Sequence, residues 1–143
     1  MTSEPIMEGG CGCGAVRYRV TGAPKWASHC HCVDCRRAAG AAYVTYVGLQ
    51  TAQVAWSGTP PARHQSSPGV TRTFCGKCGT SLTYEGERWP GEIHIARASV
   101  PGAIDREPQA HVFYDLRVAW LEPHDDIRKL GGPQGNQPLP LSG

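Results

Sequence analysis

The chain has 143 residues, long enough for one domain with a core of its own. Its net charge of +2 comes from scattered basic residues, which gives no electrostatic footprint for nucleic acid, and no apolar run approaches the length of a membrane span. Eighteen glycines and twelve prolines predict many turns and short strands, so the expected class is mainly β, soluble and cytoplasmic.

In chain order, residues 1–8 read as a loose leader, with neither the basic stretch nor the apolar core of an export signal. Residues 9–124 read as a single domain, and 125–143 as a C-terminal extension. Gly9-Gly10-Cys11-Gly12-Cys13-Gly14 suits a tight metal-binding turn. Val16, Tyr18 and Val20 alternate with Arg17 and Arg19, a half-buried strand. Trp26 to Cys32 is expected to be extended. Asp34 is placed to cap a short helix through Arg36, Arg37, Ala38 and Ala39, ended by Gly40. Ala42 to Val47 is rich in β-branched and aromatic residues and predicts a strand.

Short strands follow at Gln53 to Trp56, Ala62 to Gln65 and Val70 to Phe74, separated by Gly/Pro/Ser turns. Cys75-Gly76-Lys77-Cys78-Gly79 is a knuckle at the tip of a hairpin whose second arm is Thr80 to Tyr84. Glu92 to Ala96 predicts a further strand, and His111 to Phe113 precedes a polar turn near Asp115, after which Trp120 and Leu121 return apolar weight. The four tryptophans are expected in the core or a pocket wall, and His64, His94 and His124 at ordinary polar positions. From about residue 131 the Gly/Pro/Gln run carries too little apolar surface to order itself.

The seven cysteines fall into three groups: Cys11-x-Cys13, Cys30-x-Cys32-x-x-Cys35 and Cys75-x-x-Cys78. Paired thiols one or two residues apart can aim at one ion, and four thiolates complete the tetrahedral shell zinc prefers. Seven divides as a closed set of four and an open set of three. Cys11, Cys13, Cys75 and Cys78 are expected to share a structural zinc, and Cys30, Cys32 and Cys35 to hold a second with one position free. Sharing the first ion closes a loop of roughly sixty residues, at an entropic cost of roughly 3–4 kcal/mol plus a constant. The second cluster lies inside that loop, so its frame should depend on the closure.

Other readings stay open. A disulfide framework would leave one thiol unpaired and strain the Cys-x-Cys step; each outer pair could also bind its own ion with help from histidine. If the chain is extended through Cys32, Cys30 and Cys32 share one face while His29 and His31 take the other. Cys35 returns at the start of a helix, where the positive dipole end favours a thiolate. His111 or Asp115 could supply a fourth ligand and close the second site. Three thiolates leave a zinc with net negative charge, suited to accepting another soft sulfur rather than to making hydroxide. Arg36 and Arg37 either offset that charge and bind substrate carboxylates or are solvated on a helix face.

Gly10-Cys11-x-Cys13-Gly14-Ala15-Val16-Arg17-Tyr18, Cys30-His31-Cys32-x-x-Cys35-Arg36 and Phe74-Cys75-x-x-Cys78-Gly79, with the later Pro108-x-x-His111-Val112-Phe113 and Trp120, make the chain similar to the glutathione-dependent formaldehyde-activating enzyme family, which includes centromere protein V. The similarity runs from about Gly9 to Leu121 and takes in all seven cysteines. It implies an Mss4-like fold of small antiparallel sheets around two zinc sites, structural at Cys11, Cys13, Cys75 and Cys78 and open at Cys30, Cys32 and Cys35. It also implies a carbon–sulfur lyase that joins a thiol of the glutathione type to formaldehyde, in the manner of an S-(hydroxymethyl)glutathione synthase. The alternative is a non-catalytic zinc module for protein binding or metal handling. An enzyme needs an open second site; a module would fill it with a protein side chain.

Overall fold

The computed structural model describes residues 5–104 and 106–139. The first strands are β1 (Pro5–Gly10), β2 (Val16–Thr21) and β3 (Trp26–Cys30), followed by α1 (Val33–Ala39) and β4 (Val44–Gln50). Then come β5 (Val54–Gly58), β6 (Ala62–Ser67), β7 (Val70–Phe74), β8 (Ser81–Gly86) and β9 (Glu92–Ala96). The last strands are β10 (Ala110–Val112), β11 (Arg128–Gly131) and β12 (Gln137–Pro138). Short 3-10 turns occupy Thr51–Gln53, Arg97–Ser99 and Tyr114–Leu116. The fold is mainly β with antiparallel sheets, as expected. Among the described residues no helix is long and apolar enough to cross a membrane.

The chain divides into two compact units. The first takes the residues up to Trp26 and Val47–Arg106; the second takes Ala27–Tyr46 and the residues from Glu107 onward. In the first unit β1, β2 and β5 form an antiparallel three-stranded sheet, and β9-β8-β7-β6 form an antiparallel meander. β2 alternates as its sequence predicts: Val16, Tyr18 and Val20 are buried, Arg17 and Arg19 exposed. Tyr18 and Val20 join Met7, Val47, Leu49, Ile93, Ile95 and Val100 in one apolar cluster. The Tyr18 hydroxyl ends at Ser99 Oγ, 2.6 Å away, which satisfies the phenol at its buried end.

The second unit has strand order β12-β11-β10-β3. Here β10 pairs parallel with both β3 and β11, His111 lying opposite His29 and Lys129. Parallel pairing needs a long connection, which the chain supplies by returning from the first unit. α1 starts one residue after Cys32, so Cys32 rather than Asp34 holds the N-cap position, and Gly40 ends the helix in the left-handed conformation at φ 64°.

Both ends differ from the expected boundaries. Residues 1–4 lie outside the described residues, but Pro5–Glu8 belong to β1, with Met7 in the core and Glu8 2.9 Å from Arg19. The segment after 124 belongs to the second unit, carries β11 and β12, and is tied back by Phe113 N–H donating to Gly135 O at 3.1 Å. A run poor in apolar side chains orders here through its backbone partners. Residues 140–143 of the expected disordered tail lie outside the described residues. The tryptophans also divide: Trp120 is 75% exposed, whereas Trp26 packs its indole over Gly48.

A Cβ at Gly48 would overlap the Trp26 indole. Gly48→Ala should therefore cost about 1–3 kcal/mol, read as a lower urea midpoint with an unchanged slope.

His94 also departs from an ordinary polar position: it is buried beside Trp26, Tyr84 and Trp89, 3.1 Å from Glu92 Oε1. Burial holds its pKa below the usual histidine value against the pull of Glu92. The unfolded chain then takes up the proton first. This contribution to stability is complete above about pH 6.5 and is lost as pH falls below that. Thermal melts from pH 8 to pH 5 should decline more steeply for the wild type than for His94→Gln.

Candidate metal centre

Two turns of the same build carry the outer cysteines in the first unit. In the β1–β2 turn, Cys11 N–H donates to Val16 O at 3.0 Å and Gly14 N–H to Cys11 O at 3.2 Å. In the β7–β8 turn, Cys75 N–H donates to Thr80 O at 2.9 Å and Gly79 N–H to Cys75 O at 2.8 Å. Gly14 and Gly79 close the turns at φ 83° and 81°, a backbone state that glycine adopts without penalty. Sulfurs from the two turns meet: Cys11 Sγ is 3.6 Å from Cys13 Sγ, which is 3.8 Å from Cys75 Sγ. All four sulfurs, with that of Cys78, lie within 4.8 Å of one another.

Backbone donors point at these sulfurs. Val16 N–H reaches Cys11 Sγ at 3.2 Å, and the N–H groups of Lys77 and Cys78 reach Cys75 Sγ at 3.3 and 3.4 Å. Thr80 Oγ1 accepts Gly12 N–H at 3.0 Å and lies 3.2 Å from Cys78 Sγ, so one hydroxyl bridges the two turns. The Val16 N–H pulls the Cys11 thiol below its usual pKa, and the Thr80 hydroxyl pulls Cys78 down to about 5. Cys13 is lowered most by the Ala15 N–H, yet Cys11, burial and the other thiols carry it up to about 11. Four thiols this close cannot all ionise without a cation among them. Donors poised for thiolates, in a set that needs positive charge to hold them, fit a metal ion, and this cluster could hold one.

The inner cysteines lie in the second unit. β3 stops at Cys30, so the extended run expected through Cys32 is cut short where α1 begins. The Cys30 thiol donates to Cys35 Sγ at 3.4 Å. Cys32 is held well below the usual thiol range by hydrogen bonds from Cys30 and Cys35, while Cys30 is pushed far up by Cys32, Cys35 and burial. Among the described residues these three do not join each other, or any histidine, aspartate or glutamate, in a set with the mutual spacing of the outer four.

The expected fourth ligands are engaged elsewhere. His111 Nδ1 is 2.8 Å from His31 Nε2, and His111 Nε2 is 3.0 Å from Asp125 Oδ2. Asp115 accepts Gly132 N–H at 2.9 Å, and His29 Nδ1 is 2.8 Å from Thr45 Oγ1. The two arginines separate. Arg36 donates from Nε to His31 O at 3.3 Å and from Nη2 to Leu116 O at 3.1 Å, fastening α1 to the 3-10 turn, while Arg37 stays exposed.

The Asp125–His111–His31 line is not legible in the sequence. His31 offers a signal in its place between two cysteines, but nothing marks Asp125.

A model of the glutathione-dependent formaldehyde-activating enzyme family matches residues 6–116. The chain belongs to that family. A Halomonas elongata protein provisionally named a glutathione-dependent formaldehyde-activating enzyme is 29% identical over 127 residues, 82% of this chain and 80% of its own. The crystal structure of a Rhodobacter sphaeroides protein aligns with TM-score 0.58 at 23% identity, over 69% of this chain and 92% of that one, a likeness of fold. Of the seven cysteines, four gather in the first unit and three lie around the start of α1 in the second.

If the outer cluster holds a metal ion in this family member, Cys78→Ser should release it. The variant should also lose a large share of the ~5–15 kcal/mol typical of a domain. Metal analysis and a thermal melt on the same sample check this, and a strong chelator should reproduce the melt of the variant in the wild type.

Proposed function

We propose that the protein is a zinc-dependent enzyme of carbon–sulfur chemistry, a carbon–sulfur lyase acting on a small thiol or its adduct with an aldehyde, of the glutathione and formaldehyde type. The observation that carries this reading is the difference between the two thiol clusters. Cys11, Cys13, Cys75 and Cys78 form a four-donor set of ligand spacing, whereas Cys30, Cys32 and Cys35 lie around the start of α1, Cys30 3.4 Å from Cys35, without forming such a set, alone or with a fourth donor, among the described residues. A closed set suits a structural zinc and an open one a zinc that meets substrate. Held by the inner thiolates, zinc would supply affinity for a soft sulfur and the charge that keeps it ionised.

In the forward direction a carbon–sulfur bond forms between the thiol sulfur and the aldehyde carbon. The carbonyl π pair moves to oxygen, and the thiol proton ends on that oxygen as the hydroxyl of an S-hydroxymethyl group. In reverse the same bond breaks and the hydroxyl proton returns to sulfur. Arg36 serves this chemistry indirectly, by fastening the helix that carries Cys35 to Leu116 O. Arg37, exposed on that helix, would meet a carboxylate of the thiol substrate in this reading.

A second reading, a zinc module that docks a protein, draws on Leu116, Trp120 and Leu121, all exposed in one short segment.

Thiol-binding calorimetry on zinc-loaded protein separates the two. Glutathione should bind with release of a proton, in an amount read from buffers of different ionisation enthalpy. Arg37→Ala should weaken glutathione by roughly 3–10-fold and leave an uncharged thiol unaffected, as expected for one charge-assisted contact. Cys32→Ser should abolish thiol binding while the first unit keeps its metal. Protein that binds no thiol at millimolar concentration and forms no adduct with formaldehyde would transfer the case to the docking module.

A further inference from the structure

Asp125, His111 and His31 form one hydrogen-bonded line within the second unit. The Asp125 carboxylate oxygens lie 3.0 and 3.2 Å from His111 Nε2, and His111 Nδ1 lies 2.8 Å from His31 Nε2. His111 is 0% and His31 2% exposed. These facts fix the protons. An ionised carboxylate only accepts, so His111 Nε2 carries hydrogen. A neutral His111 then offers a lone pair at Nδ1, so His31 Nε2 must donate to it. That leaves His31 Nδ1 with a lone pair, and this buried atom has no hydrogen-bond partner.

A doubly protonated His111 would reverse the last bond. It would put a charge on a ring with no exposed surface and leave His31 with an orphan N–H donor, a costlier defect than an orphan acceptor. The remaining polar groups of His31 are fixed. Its N–H donates to Val112 O at 3.0 Å, its carbonyl accepts Arg36 Nε at 3.3 Å, and its ring packs 4.9 Å from Tyr43 and 5.1 Å from Tyr114. Nδ1 is therefore an oriented acceptor, and nothing within the described chain donates to it.

We propose that His31 Nδ1 accepts a hydrogen bond from the hydroxyl of an S-hydroxymethyl adduct, with His111 and Asp125 as positioning residues that hold His31 in the acceptor tautomer. This rests on the thiol–aldehyde reading above and names the residue that recognises the adduct. His31 lies between Cys30 and Cys32, and the adduct hydroxyl is one carbon removed from its sulfur. An O–H donor can complete a bare ring-nitrogen lone pair. A carbonyl oxygen offers an acceptor where an acceptor already stands, and a free thiol lacks the hydroxyl, so this contact separates the adduct from the thiol and from the unhydrated aldehyde. Asp125 lies past residue 116, where the family match ends, so the line's first member comes from outside the matched residues.

The test is nitrogen-15 NMR of the histidine rings in zinc-loaded full-length protein, with steady-state kinetics on the same samples. Without ligand, His31 should show a protonated Nε2 and a bare Nδ1. The Nδ1 resonance should move when glutathione and formaldehyde are present together, and stay in place with glutathione alone. Asp125→Ala should mix the His31 tautomers and lower kcat/KM for the adduct roughly tenfold, the scale of one hydrogen bond. Asp125→Asn keeps an acceptor oxygen for His111 and should restore both to within about twofold.

If adduct binds and turns over while the Nδ1 resonance stays in place, or responds equally to thiol alone, the role of His31 is overturned and the thiol–aldehyde reading stands. That role is equally overturned if Nδ1 carries hydrogen, or if cadmium-113 in place of zinc couples to it. If the protein binds neither thiol nor adduct, the thiol–aldehyde reading fails and the His31 role falls with it.

Discussion

The meeting of two cysteine turns 62 residues apart is the constraint on which the first unit depends. Closing a loop of that length costs roughly 3–4 kcal/mol plus a constant before any contact is gained. The apolar residues packed at the junction are few: Val16 and Leu82 stand beside Cys11 and Cys75, with Ala15 at the margin. The polar groups are arranged to favour sulfur in its ionised form, through the amides of Val16, Lys77 and Cys78 and the Thr80 hydroxyl. Such an arrangement stabilises little while the thiols stay protonated. It becomes strong when a cation lets them ionise together, since hydrogen bonds to a charged acceptor are worth about twice neutral ones. If the cluster holds a metal ion, closure and metal binding are in this sense one event.

Local pattern explains what is legible in the sequence. β2 follows from Val16, Tyr18 and Val20 alternating with arginines, and β7, β8 and β9 fall within a residue or two of their expected places because turns at Ser66–Gly69 and Cys75–Gly79 bound them. The outer cysteine pairs are legible because spacing and soft chemistry leave few other uses for them. What escapes is non-local. β10 is three residues long, and its parallel pairing with β3 joins His111 to His29 across the sequence, which no periodicity announces. Trp120 is expected in the core or a pocket wall, yet it and Leu121 are exposed, because hydropathy carries no information about which side of a loop faces inward. Asp125 carries no signal at all, since its meaning lies in a histidine fourteen residues away.

The inner cysteines are framed differently from the outer ones. They lie inside the loop that the outer turns close, a placement from which the same closure would be expected to support them. Their supports instead come from the second unit. Val112 O holds the His31 amide, Leu116 O holds Arg36, and His111 holds the His31 ring. Each of these belongs to the chain after Glu107. Bonds of this kind fix position without adding a metal ligand, as the open site proposed for these cysteines would require.

The C-terminal segment therefore packs in the same unit as the inner cysteines. A boundary drawn at residue 124 would remove Asp125 from His111, β11 from its parallel place beside β10, and Gly135 O from Phe113 N–H. Phe113 sits at φ 52°, a left-handed conformation that costs a non-glycine residue roughly 1–2 kcal/mol and that sets Tyr114 against the His31 and His111 rings. Arg117 and Lys129 lie over the other reach of the Tyr114 ring, 4.3 and 5.6 Å from its centroid, and Lys129 also stands 3.7 Å from Asp125 Oδ1. Strained backbone persists where its surroundings over-determine it, and here those surroundings are supplied by the residues after 124. The glycines and prolines that make this stretch look disordered allow it to wrap back closely enough to hold the histidine line in one arrangement.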